Sequence, residues 1–288
     1  MTANDDGKAQ FDHLYDQPDP RDYYRTLGAL DYEIPQRALP VVQTLLGALP
    51  RPGPRRVLDV CCSYGINAAL LRYELTLDDL HRRYADPAVD ALSAEELARS
   101  DREWLADRRR PGAPRVTGVD VAANAVAYAC RADLLDDGWV EDLEAGDPSP
   151  ALADELAGVD LVVVTGAVGY ITERTFGRLL AGRAHGSAPW VAAMVLRMYP
   201  YDAIAATLAE SGLVTERLAG ATFPQRRFAD DRERTAAVDA VLARGLDPAG
   251  LEDDGCFHAE LFVSRAAADV ERQPLAELLA GVLPTASA

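Results

Sequence analysis

Three apolar runs constrain this chain more than any other feature: "RRVLDV" (55–60), "VDLVVVTG" (159–166) and "PWVAAMVLRM" (189–198). Each is short, and the hydrophobic stretch in each is almost unbroken. A strand that shows water neither face has to lie inside a sheet covered on both sides. Between the runs the apolar period becomes helical, in "INAALLRYE", "ANAVAYACRADLL", "ALADELAG", "ERTFGRLLAGRA" and "YDAIAATLAESG". "RVTGVDV" and "WVEDL" add two strands to the alternation. Strand and helix taking turns in this way predict a parallel α/β sheet with helices on both faces. The tail differs. "VTERLAGATFPQRRF" and "CFHAELFVSR", on either side of a helix over Arg232–Arg244, read as two last strands antiparallel to each other.

Two segments stand outside the alternation. Residues 1–50 are rich in aromatics and prolines, with a turn at Pro18 and Pro20 and helices expected from Arg21 and from Pro35. They read as an N-terminal cap on a single domain spanning 51–288. Residues 75–112 interrupt the scheme as a helical insertion, and Ser93 and Glu96 have the spacing of a capping box. The charges of that helix read as a solvated face.

The formal net charge of −17 over 288 residues argues against a nucleic-acid backbone or an anionic membrane as partner. There is no run of about 18 apolar residues, and "MTANDDGKAQ" lacks the regions of a signal peptide, so a cytoplasmic location is expected. Cys61, Cys62, Cys130 and Cys256 show no zinc-ribbon spacing, which fits free thiols in a reducing compartment.

Ligands of open α/β sheets lie at the carboxyl ends of the strands, so the turn after "RRVLDV" faces a ligand. A dinucleotide needs G-x-G-x-x-G there, because pyrophosphate must approach bare backbone at a helix N-terminus. "VLDVCCSYGIN" does not provide it, and no phosphate-binding G-x-x-x-x-G-K-[ST] occurs either.

On these residues the chain resembles the class I S-adenosylmethionine-dependent methyltransferases. The family's first motif is an apolar strand ending in an acid, then G-x-G-x-G. Here the acid falls on Asp59 and the glycine positions on Cys61, Ser63 and Gly65. The resemblance implies that Asp120 accepts from the ribose hydroxyls and that Val121 packs on the adenine. It implies that Asp142 accepts from the adenine amine, with Leu143 beside the ring, and that "TGAVGY", from Thr165 to Tyr170, lines the sulfonium end. The implied fold is a Rossmann-like seven-stranded sheet, mostly parallel with an antiparallel last strand. The implied activity is methyl transfer from S-adenosylmethionine to a small molecule, on oxygen, nitrogen or carbon. A same-fold enzyme that uses the cofactor for a non-methylating reaction and a non-catalytic regulatory relative are the alternatives.

The same topology places Arg197–Tyr201 and the segment from Gln225 to the start of "GCFHAE" on the ligand side. His258 is therefore the expected base among the histidines, with Tyr170 a second catalytic candidate. Tyr23 and Tyr24 of the cap, with Arg197, Tyr199 and Arg226, are expected around the substrate, the arginines suiting an anionic one. Tyr15 and Tyr32 belong to the same aromatic segment. No metal site is expected, and a homodimer is compatible with the sequence.

Overall fold

The computed structural model describes residues 12–50, 53–181 and 188–282. β1 (Arg56–Val60) lies at the centre of the parallel part of the sheet, between β2 (Arg115–Asp120) and β4 (Leu161–Thr165). β3 (Asp137–Val140) lies outside β2, and β5 (Trp190–Leu196) follows β4. All five run parallel. β8 (Cys256–Ala266) then enters antiparallel to β5, and β6 (Leu213–Arg217) closes the order 3-2-1-4-5-8-6. β7 (Phe223–Arg227) also pairs antiparallel with β8. β6 covers Phe262–Ala266 of β8 and β7 covers Cys256–Ala259, so the expected penultimate strand is one edge broken in two. The break falls at Leu218–Thr222, around Gly220, which has a φ of +74°.

The alternation puts two cores on the two faces. Val57, Val116 and Val163 look to one side. There they meet α3 (Ile34–Ala48), α4 (Ile66–Arg72) and α7 (Ala123–Arg131). Leu58, Val60 and Val119 look to the other, against α8 (Pro150–Leu156), α9 (Glu173–Ala181) and α10 (Asp202–Glu210). Cap helices α1 (Asp12–Tyr15) and α2 (Arg21–Gly28) precede α3, while α11 (Asp231–Ala243) joins β7 to β8. No helix among the described residues is long and apolar enough to cross a membrane.

The insertion is α5 (Leu77–Ala85) and α6 (Ala94–Ala106), and Ser93 and Glu96 form the expected capping box. It is a packed layer. Tyr24 of the cap stacks on Tyr84 with ring centres 4.5 Å apart. Asp101, on the supposedly solvated helix, is 1% exposed and accepts from Tyr84 and Tyr128 hydroxyls at 2.6 and 2.5 Å and from Arg83 Nε at 2.9 Å.

Candidate functional site

The chain leaves β1 by a turn whose backbone is the first clue to the site. Cys61, Ser63 and Gly65 have φ values of +57°, +48° and +76°. All three stand in the left-handed region that glycine occupies at no steric cost and other L-residues occupy rarely. The two replaced positions therefore keep the backbone course of glycines. A Cβ on Gly65 would meet Ala129 and Leu134 at 3.2 Å, so that position has no room either. Cys61 N donates to Val119 O at 2.8 Å, and Cys62 packs on bare Gly118, where a Cβ would come within 2.5 Å of its sulfur.

Asp120, the last residue of β2, holds this turn from the side. Its carboxylate accepts from Ser63 N at 2.8 Å and from Ala122 N at 2.9 Å. Each oxygen keeps a further lone pair for a ligand. Beside it Val121 is an apolar side chain left 64% exposed.

These residues border a cavity of about 370 Å³. Cys61, Cys62, Ser63, Asp120 and Val121 line it, with Thr165 at the end of β4 and Gly166, Ala167 and Tyr170 beyond. The cap closes it with Tyr15, Asp16, Tyr23, Leu27, Tyr32 and Pro35, and β7 contributes Gln225 and Arg226. Three buried polar atoms here lack any hydrogen-bond partner: Asp59 Oδ2, Ser63 Oγ and Gln225 Oε1. Buried polar groups are ordinarily paired, so such a group marks a place where a ligand or water completes the structure.

Asp59 is one hydrogen bond behind the lining. Its Oδ1 accepts from Asn67 Nδ2 at 2.9 Å, and the same amide nitrogen lies 3.3 Å from Thr165 Oγ1. Burial pushes the Asp59 carboxyl up to about 7; the Asn67 bond opposes this and the charge of Asp120 adds to it. Burial, with Asp120 and Asp59 nearby, also pushes the Cys61 thiol well above its usual range, so it is no ready thiolate.

Several expected residues lie away from the cavity. Asp142 is exposed and closes its own turn, accepting from Glu144 N and Ala145 N at 2.9 and 3.2 Å. β3 ends three residues before the end of the expected strand, at Val140, which pairs with the last residue of β2. Glu141 then caps toward α8 through Ser149, and Leu143 turns into the core. His258 pairs opposite Pro224 with its Nδ1 3.1 Å from Thr222 Oγ1; burial and Arg197 lower its pKa to about 4. His185 and the side chain of His13 lie outside the described residues. Tyr24 faces the insertion, and Tyr199 covers Gly169, where a Cβ would meet its ring at 2.5 Å.

The arginines are spoken for. Arg197 is buried against Glu252 and donates to Asp247 O at 2.8 Å. Arg226 lines the cavity, but Glu233 accepts from its Nη1 and Nη2 at 2.8 and 2.6 Å. The expected anion receptor is two internal ion pairs. Conversely, sequence reasoning passed over Asn67 and Asp16. Asn67 had a signal, being the polar residue in an otherwise apolar first turn, "INAALL".

No family model and no curated protein sequence matches the chain. Among solved structures it is similar to a TehB-like SAM-dependent methyltransferase from Corynebacterium glutamicum (17% identity, 84% of this chain and 94% of that one, TM-score 0.40). It is also similar to the [4+2]-cyclase SpnF (15% identity, 80% and 81%, TM-score 0.38). A Pyrococcus horikoshii structure matches 79% of this chain at 11% identity and a TM-score of 0.34; this chain spans 63% of it, under two thirds of its length. The fold itself is given by the strand order described above.

Proposed function

We propose that the cavity binds S-adenosylmethionine and that the protein transfers its methyl group to a small molecule. The observation that carries the reading is the turn after β1, left-handed at 61, 63 and 65 and clasped by Asp120. The residues suit the cofactor. A ribose diol would find free lone pairs on Asp120. Val121 offers an exposed apolar flank for the adenine, and the unpartnered Ser63 Oγ suits the polar tail. Since this cofactor has no phosphate, the loop need not be all glycine. Thr165 and Tyr170 would stand nearest the transferred group. When bound, the cofactor supplies an activated methyl group, so the protein's work is to position and to exclude water.

A second reading has an observation of its own. Burial raises the Tyr23 and Tyr32 phenols and the Cys61 thiol, and His258 is off the lining. Asp59, which titrates at about 7, stands behind Asn67 and outside the lining, so no group of the lining with a shifted titration is a base poised near neutral pH. That suits an acceptor that loses its proton unaided, and equally a same-fold enzyme that holds the cofactor for a non-methylating reaction.

Calorimetric titration with S-adenosylmethionine, S-adenosylhomocysteine and NAD tests the binding. The first two should bind in the micromolar range and NAD should not; a folded, ligand-free protein that ignores all three sinks the proposal. Radiolabelled methyl appearing in product then separates methyl transfer from the second reading.

A further inference from the structure

The β7 side of the cavity carries a polar group that the cofactor reading leaves unused. Gln225 sits on β7, whereas the cofactor loop follows β1 and three strands lie between them in the sheet. It is 4% exposed, it lines the cavity, and its Oε1 has no hydrogen-bond partner. Its position is fixed from both sides. The backbone carbonyl accepts from Glu33 N at 2.8 Å, which ties β7 to the cap. The amide end lies over Gly166 (φ +72°), where a Cβ would stand 2.4 Å from Nε2. A glycine in this conformation makes the room that the carboxamide occupies. If the amide were turned end for end, a polar atom would still be buried there unpaired.

The surroundings define what completes it. Tyr23 and Tyr32 stand edge to face at 6.3 Å, with Leu27 and Pro35 in the same wall. Such a surface takes a flat apolar body. The neighbouring cation, Arg226, is matched by Glu233, and the other charged groups of the lining, Asp16 and Asp120, are carboxylates. A carboxylate or phosphate brought here would lose its water without gaining a counter-charge.

We propose that Gln225 anchors the methyl acceptor, and that the acceptor is an uncharged, ring-bearing small molecule presenting an O–H or N–H to Oε1. This rests on the cofactor reading for the word acceptor, while the binding site itself stands on its own geometry. Recognition by a buried amide gives discrimination that an apolar wall alone lacks, because an analogue without the donor leaves the amide unpaired.

Three probes of one shape test it: benzyl alcohol, toluene and benzoate, followed by ligand-observed NMR on the protein loaded with S-adenosylhomocysteine. Benzyl alcohol should bind about fivefold more tightly than toluene, the scale of one neutral hydrogen bond, and benzoate should be the weakest. In Gln225→Met the alcohol's advantage over toluene should vanish while S-adenosylhomocysteine affinity holds, which also reports that the variant is folded. Benzoate binding as well as the alcohol, an alcohol preference that survives Gln225→Met, or no binding by any of the three would overturn the proposal. If S-adenosylhomocysteine itself does not bind, the cofactor reading fails, and the same three probes then test Gln225 on the free protein.

Discussion

Cys61 and Ser63 place side chains where the backbone favours none. A left-handed L-residue costs about 1–2 kcal/mol, and glycine's looser unfolded state gives back about 0.5–1 of that. Ser63 has little to set against the cost, since its buried Oγ is unpartnered. Ser63→Gly should therefore leave the free protein as stable or raise it by up to about 1 kcal/mol, read by thermal melting. If Oγ serves the cofactor, the melting shift produced by S-adenosylhomocysteine should shrink in the same variant. A clear drop in the free protein's melting temperature would mean that the hydroxyl works in the empty fold. Asp59 gives a pH signature. Its carboxyl ionises near 3.8 in the unfolded chain and at about 7 in the folded one. Between those values the folded state alone keeps the proton, so this group's contribution to stability falls as pH rises through that window and is level above it. Asp59→Asn has no such proton and should gain on the wild type by on the order of 3 kcal/mol from pH 4 to pH 7. Urea titrations across that range measure it, and parallel curves for the two proteins would show that Asp59 is not raised.

At the level of elements, the insertion is where local reading and packing part. The capping box of α6 is local and was legible: Ser93 with Glu96 starts the helix as the spacing demands. The helix's role was not, because the partners of Asp101 lie 17 and 27 residues away, at Tyr84 and Tyr128. A charge pattern cannot distinguish a solvated carboxylate from one that two distant phenols and Arg83 enclose. Asp101→Ala would strand those three donors, and the loss should be about 3 kcal/mol by chemical denaturation. A loss below about 1 kcal/mol would return the helix to the solvated category. The same distinction runs through the sheet. Strand identity and the parallel run of β1 to β5 follow from hydrophobic period and alternation, which are local, whereas the antiparallel last strand is what the methyltransferase resemblance implies. The end of β3 at Val140 depends on pairing across strands and has no local mark, whereas the break between β6 and β7 is marked only by Gly220 inside the expected strand. The site divides in like manner. The β1 turn and Asp120 were legible from motif spacing. The pairing of Arg226 with Glu233 and the displacement of Asp142 were decided by contacts that only the fold creates.

Across the whole molecule, the cavity exists because two distant parts of the chain are fastened over each other. Three sets of hydrogen bonds hold the cap over the cavity, to β7, to α7 and to the turn after β1. Leu30 O and Glu33 N pair with Arg227 and Gln225 on β7, and Asp16 Oδ1 and O accept from Asn124 N and Nδ2 at the start of α7. The third fastening is Tyr64, from the turn after β1 itself. Its hydroxyl accepts from Gln17 N at 2.9 Å and lies 3.0 Å from the carbonyls of Leu14 and Gln17. The strap that carries Tyr15 and Asp16 over the cavity is thus anchored to the turn beneath it. Tyr64→Phe keeps the ring and its packing against Tyr23 at 5.6 Å but releases the strap. The lost hydrogen bonds should cost about 1–2 kcal/mol, a fall in melting temperature of roughly 2–8 °C at this size. Stability alone would not separate a fastening from a cover. If the strap covers bound cofactor, stopped-flow release of S-adenosylhomocysteine should be several-fold faster in Tyr64→Phe. An unchanged release rate with lowered stability would make the strap a fixed wall, and exchange of the ligand would then have to pass elsewhere, with the side of Val121, which is 64% exposed, the route to test.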